Sequence, residues 1–178
     1  NQADPGQVLP NDDFIELLGK ELQLHNQLCS SGRPQSPGDG VAKRFDDVKS
    51  GRTVKLFKSH RPGIEDGDQR RDFIYVDDAV AVIRWLMDTP SVSGIFNVGT
   101  GKARSFKNLI TALFAALGAA PKIEYVDMPE NIRGQYQYFT QADVENLRHA
   151  GYNAGFSSLE ESVKRYVTQF LNTADRHR

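Results

Sequence analysis

The residues of this 178-residue chain best suited to chemistry lie in three short stretches, of which the first is R70-R-D-F-I-Y-V-D-D78. A guanidinium is a planar fork of donors that meets two phosphate oxygens at once, so Arg71, at the edge of an apolar run, could clamp a diphosphate. The same side chain could equally be a surface cation paired with Asp72 or Asp77, an arrangement worth little in water. If this stretch is extended, the side chains of Arg70 and Arg71 point to opposite faces and only one can serve a site. The adjacent carboxylates Asp77 and Asp78 do not share a face, which favours capping of the following helix over paired acid/base work.

The second stretch, F96-N-V-G-T-G-K-A-R-S105, runs from apolar residues into a tight glycine turn. Glycine serves tight turns with or without a ligand, and the third glycine of G-x-G-x-x-G is missing, so this is not the nicotinamide-cofactor fingerprint. The third stretch, M128-P-E-N-I-R-G-Q-Y-Q-Y-F-T-Q-A-D143, sets Arg133, Tyr136 and Tyr138 in a loop beyond Pro129. An aromatic body with a polar tip could lie there against a sugar or base, or it could pack on the domain edge.

Elements of both periods must position these stretches. A helix is expected over residues 11–29, capped by Asp12 or Asp13, and the Gly, Pro and Ser of residues 30–40 read as a flexible connector. Residues 41–178 form the expected domain. In it, Val41, Phe45 and Val48 have helical spacing, with Gly51 beyond the helix end, and residues 54–57 form an apolar strand. A polar loop follows over 58–69. Residues 73–76 and 95–98 read as further strands, each preceding a helix, with Ser105 capping the second helix and Gly118 closing it. Residues 122–126 complete the strands. Thr140 with Asp143 suggests a capping box for a helix ending near Gly151, and Ser157/Glu160 or Ser158/Glu161 suggests one for the last helix. The alternation makes the chain α/β, with a small mixed sheet in place of the roughly six parallel strands of a complete Rossmann domain.

Composition narrows the partners. Lys and Arg total 22 against 23 Asp and Glu, a formal net charge of -1, so no global basic field would attract nucleic acid or an anionic membrane. Cys29 stands alone and no Cys/His spacing suits a metal, which together point to a reducing compartment and hence the cytoplasm. Neither a signal peptide nor 18 consecutive apolar residues occurs.

Taken together, the runs V54-K-L-F-K-S-H-R-P62, Q69-R-R-D-F-I-Y-V76, G94-I-F-N-V-G-T-G101, R133-G-Q-Y-Q-Y-F-T-Q-A-D-V144 and L147-R-H-A-G-Y152 resemble the ADP-glyceromanno-heptose 6-epimerases. The R-D-F-I-Y-V and F-N-V-G-T-G elements are shared among extended short-chain dehydrogenase/reductases that act on sugar nucleotides. K-L-F-K-S-H-R-P and G-Q-Y-Q-Y-F-T-Q-A-D are more particular to the heptose epimerases. The resemblance covers residues 41–171 and implies the C-terminal, substrate-binding half of such an enzyme. It implies that Phe57, Lys58, Ser59 and His60 lie along an ADP-sugar, that Arg71 binds its diphosphate, and that Tyr136 contacts it near the nucleotide or phosphate.

The implied chemistry is NADP-dependent inversion at C6 of ADP-glycero-manno-heptose for the lipopolysaccharide core. No Tyr-x-x-x-Lys pair accompanies the match, so neither catalytic nor cofactor-binding residues are assigned and the chain alone is expected to be inactive. The competing expectation is a noncatalytic binding or assembly module derived from a sugar-nucleotide epimerase or dehydratase. A homo-oligomer is compatible with either.

Overall fold

The structure, a computed structural model, describes residues 40–173, so the helix expected over 11–29 and the connector before Gly40 lie outside the described residues. The helices are α1 (Val41–Lys49), α2 (Val76–Asp88), α3 (Phe106–Ala116), α4 (Glu130–Arg133), α5 (Glu145–His149) and α6 (Leu159–Tyr166), which runs into a π-helical turn at Val167–Leu171. The strands are β1 (Val54–Phe57), β2 (Arg70–Arg71), β3 (Arg104–Ser105) and β4 (Ile123–Val126). β1 pairs in parallel with β4, Val54 opposite Ile123 and Phe57 opposite Val126, while β2 and β3 form an antiparallel pair. The expected small mixed α/β fold is therefore present.

Its main core follows from the helical spacing. Phe45 and Val48 of α1, Leu109, Ile110, Leu113 and Phe114 of α3, and Leu159 and Val163 of α6 pack on Val54 and Leu56 of β1. The helix ends match their signals. Ser105 Oγ accepts from Asn108 N at 3.1 Å while Asn108 Oδ1 accepts from Ser105 N at 3.2 Å, closing a capping box at α3. Ser158 and Glu161 make the corresponding box at α6, and Gly51 and Gly118 take positive φ past α1 and α3. Ser105→Ala should destabilise the fold by about 1 kcal/mol, read from the urea midpoint. An unchanged midpoint would show that the box contributes nothing.

Four local expectations are corrected. Residues 73–76 form no strand: the chain turns into α2 at Val76, with Tyr75 as N-cap. Asp77 and Asp78 then occupy the first helical turn and do not cap it by hydrogen bonds; Asp78 accepts from Ser157 N at 2.8 Å and Asp77 pairs with Arg165 at 3.6 Å. Residues 95–98 are likewise outside any strand, with Ile95 91% exposed. Apolar extended residues become a strand only beside a ladder partner, and the described residues offer none to either segment. The Thr140/Asp143 capping box is also absent. α5 begins at Glu145, whose N–H donates to the Asp143 carboxylate at 3.0 Å, and Thr140 N instead reaches Arg70 O at 3.2 Å.

Candidate functional site

The carboxyl ends of β1 and β4 lie side by side, and the chain leaving each end is tied to the other. Lys58 N donates to Val126 O at 2.8 Å, extending the ladder by one residue. Beyond it, His60 N donates to the Tyr138 hydroxyl at 3.1 Å, and His60 Nε2 accepts from Met128 N at 3.2 Å. The buried side chain of Gln69 donates to Phe57 O and Lys58 O at 3.4 and 3.3 Å, satisfying carbonyls that end the strand. Gly67, at φ 75, passes so near the Tyr125 ring that a Cβ would meet it at 2.7 Å, which fixes glycine at this crossing.

Around these ties lies a small apolar cluster of Phe57, Met128 and Tyr138, with Tyr136 partly buried against it. Tyr136 meets Phe57 and Tyr138 edge-on, at centroid distances of 5.9 and 5.7 Å. Arg71 closes the group. Its guanidinium lies 5.6 Å from the Tyr136 ring centroid and 5.7 Å from that of Phe106, and it donates to Arg70 O at 2.7 Å and to Gln137 O. No carboxylate of the described residues pairs with Arg71, so pairing with Asp72 or Asp77 is not observed. Arg70 faces away and pairs with Asp68 at 2.9 Å, as opposite faces of an extended segment require.

Of the residues expected at the site, Phe57, Tyr136 and Arg71 thus form one contiguous cluster in which Phe57 is buried, and His60 joins it through Tyr138. Lys58 reaches Asp127 at 3.5 Å. Ser59 is turned into its own loop, its N–H on Asp66 at 2.7 Å and its Oγ on Arg61 O at 3.1 Å. A separate surface depression of about 460 Å³, lined by residues 91–96 with Asn146, His149 and Ala150, contains none of the expected site residues.

The Gly99–Gly101 turn does converge on an anion, though that anion belongs to the chain. Asp72 Oδ1 accepts from Thr100 N at 2.9 Å and from Thr100 Oγ1, while Oδ2 accepts from Gly101 N at 2.9 Å and Ala142 N at 3.1 Å. Burial pushes the Asp72 carboxyl up, but the hydrogen bonds from Thr100, Ala142 and Gly101 outweigh it and hold the group below its ordinary value of 3.8. A depressed carboxylate stabilises the fold above its unfolded value, and that stabilisation is lost as pH falls through the lower folded value. The stability advantage of the parent chain over Asp72→Asn should therefore be full at neutral pH and shrink below pH 3.8, as urea midpoints at pH 7 and pH 3 would show. A pH-independent difference would contradict the assignment.

Known proteins resemble the chain in both sequence and fold. Residues 27–99 match the model of the NAD dependent epimerase/dehydratase family. An ADP-L-glycero-D-manno-heptose-6-epimerase of Nitratidesulfovibrio vulgaris (strain DP4) is 48% identical over 135 residues, covering 76% of this chain and 42% of the relative. The protein of the same name from Fusobacterium nucleatum is 42% identical over 143 residues, covering 77% and 43%. The chain thus spans about two fifths of the length of these curated relatives. The crystal structure of the Helicobacter pylori ADP-L-glycero-D-manno-heptose-6-epimerase superposes with a TM-score of 0.57 at 28% identity, over 72% of this chain and 36% of that one. A UDP-N-acetylglucosamine 4-epimerase from Methanobrevibacter ruminantium shares the fold with a TM-score of 0.60 at 20% identity, over 75% and 39%. Over residues 27–99 the chain is similar to the NAD dependent epimerase/dehydratase family, and over about three quarters of its length to ADP-L-glycero-D-manno-heptose-6-epimerases.

Proposed function

We propose that this chain is the C-terminal, sugar-nucleotide-binding portion of an ADP-glycero-manno-heptose 6-epimerase, a cytoplasmic enzyme that inverts C6 of the heptose for the lipopolysaccharide core. The observation that carries this reading is Arg71, a guanidinium without a carboxylate partner among the described residues, laid on Tyr136 beside Phe57 where the carboxyl ends of β1 and β4 open. Such a cation retains both its charge and part of its donor fork for a diphosphate. The partly buried Tyr136 and Phe106 rings beside it offer apolar surface to a nucleoside or sugar. Ligands of α/β proteins characteristically sit outside the carboxyl ends of parallel strands.

The family name implies a nicotinamide dinucleotide, with NADP proposed for the parent enzyme, yet the described residues do not fit its pyrophosphate. The Gly99–Gly101 turn lacks the third glycine of the dinucleotide fingerprint, and its Thr100 and Gly101 amides are already taken by Asp72. No step through the cofactor is therefore assigned to these residues. The division of labour has a direct test. The purified chain, given ADP-glycero-manno-heptose and NADP, should bind the sugar nucleotide without producing the C6 epimer detectable by proton NMR. Turnover would contradict the proposal, and so would the absence of any heat of binding to the sugar nucleotide.

A further inference from the structure

We propose that Asp72 is a positioning residue of this site: its carboxylate, seated among the amides of the 99–101 turn and of Ala142, holds the tyrosine loop in the register that brings Tyr136 beneath Arg71. The inference rests on the reading of Arg71 and Tyr136 as sugar-nucleotide contacts. Two segments far from it in sequence converge on this one side chain. Thr100 is 28 residues from Asp72 and Ala142 is 70 residues from it, and their donors divide between the two carboxylate oxygens.

The convergence is close enough to dictate the residue at its centre. A Cβ on Gly99 would lie 2.5 Å from Ala142 Cβ and 2.7 Å from Asp72 Oδ2, so only glycine lets the turn close on the loop. Residues 70–72 tie the tyrosine loop at every step: Arg70 N to Tyr138 O at 2.9 Å, the Arg71 guanidinium to Gln137 O, Thr140 N to Arg70 O at 3.2 Å, and Ala142 N to Asp72. Among these ties, the Asp72 side chain is the one that also engages the 99–101 turn. Its charge is spent on those donors, and Asp72 makes no ion pair with the neighbouring Arg71, whose charge is left for a ligand.

Asp72→Asn tests this with nearly unchanged shape, because an amide sets an NH2 group against donors that need an acceptor. In nitrogen-15 and proton spectra of the 178-residue chain, the Thr100, Gly101 and Ala142 amides should move. The Tyr136 ring and Arg71 Nε–H signals should move with them, while the core amides of Leu113 and Val163 stay fixed. The dissociation constant for ADP-glycero-manno-heptose, measured by calorimetry, should rise about tenfold, the equivalent of one charge-assisted hydrogen bond. Shifts confined to residues 99–101, with Tyr136 and Arg71 unmoved, would overturn the proposal. Should Asp72→Asn fail to fold, Thr100→Val removes one hydroxyl, which donates to Asp72 and accepts from Lys102 N, and should shift the same Tyr136 and Arg71 signals by less; no movement there again overturns it. The spectra need no ligand. A parent chain that fails to bind the sugar nucleotide would therefore sink the site reading, and the role of Asp72 would still be decided by the Tyr136 and Arg71 signals.

Discussion

Replacing Arg71 with alanine is expected to cost roughly 2 to 5 kcal/mol of affinity for an ADP-sugar, because truncation leaves a desolvated phosphate charge without its partner. The geometry favours this over a solvated surface pair, whose loss would cost about 0 to 1 kcal/mol. Arg71 is held between Tyr136 and Phe106 and fastened to two carbonyls, so part of its ordering entropy is lost before any ligand arrives. Its remaining donors have no partner among the described residues. Arg71→Lys should recover only part of the loss, since an ammonium keeps the charge and forfeits the planar fork. Arg70→Ala is the internal control, its side chain being directed to Asp68 on the other face. Equal small losses at both positions, measured by calorimetry on folded variants, would remove the diphosphate assignment.

Gly99→Ala is expected to destabilise the fold by roughly 3 kcal/mol, the upper part of the range for overpacking, although it adds one methyl group. The new Cβ would meet Ala142 Cβ and Asp72 Oδ2 at distances that real atoms do not adopt, and neither neighbour is the loose end of a flexible chain. Relief requires the 99–101 turn to withdraw from Asp72, breaking hydrogen bonds whose donors are then left partly buried. The substitution should lower the urea midpoint, with a matching loss of exchange protection at Thr100 and Gly101. A change under about 0.5 kcal/mol would mean that the turn relaxes freely.

The parts of this fold legible in the sequence are those fixed by neighbours within a few residues. Ser105 and the Ser158/Glu161 pair cap their helices because a side chain reaches the backbone three positions on. β1 and β4 appear where apolar residues cluster, and Arg70 and Arg71 diverge because a strand alternates. What escaped the sequence depends on distant partners. The runs at 73–76 and 95–98 have strand composition, but a ladder needs a second chain segment beside it. The glycines of the G-T-G turn are legible as a tight turn, but that its amides receive the Asp72 carboxylate is decided 28 residues away. The six expected site residues are individually visible through the resemblance. Their ties through Tyr138, Met128 and Gln69 are tertiary contacts that local pattern cannot supply.

The most direct measurement of the central claim is a titration of the nitrogen-15-labelled chain with ADP-glycero-manno-heptose, followed through its amide and Arg Nε–H resonances. The site described here predicts saturable shifts at Phe57, Lys58, Ser59, His60, Arg71 and Tyr136, with the depression lined by residues 91–96 and His149 unmoved. Saturable shifts at that depression, with Arg71 and Tyr136 unchanged, would contradict it.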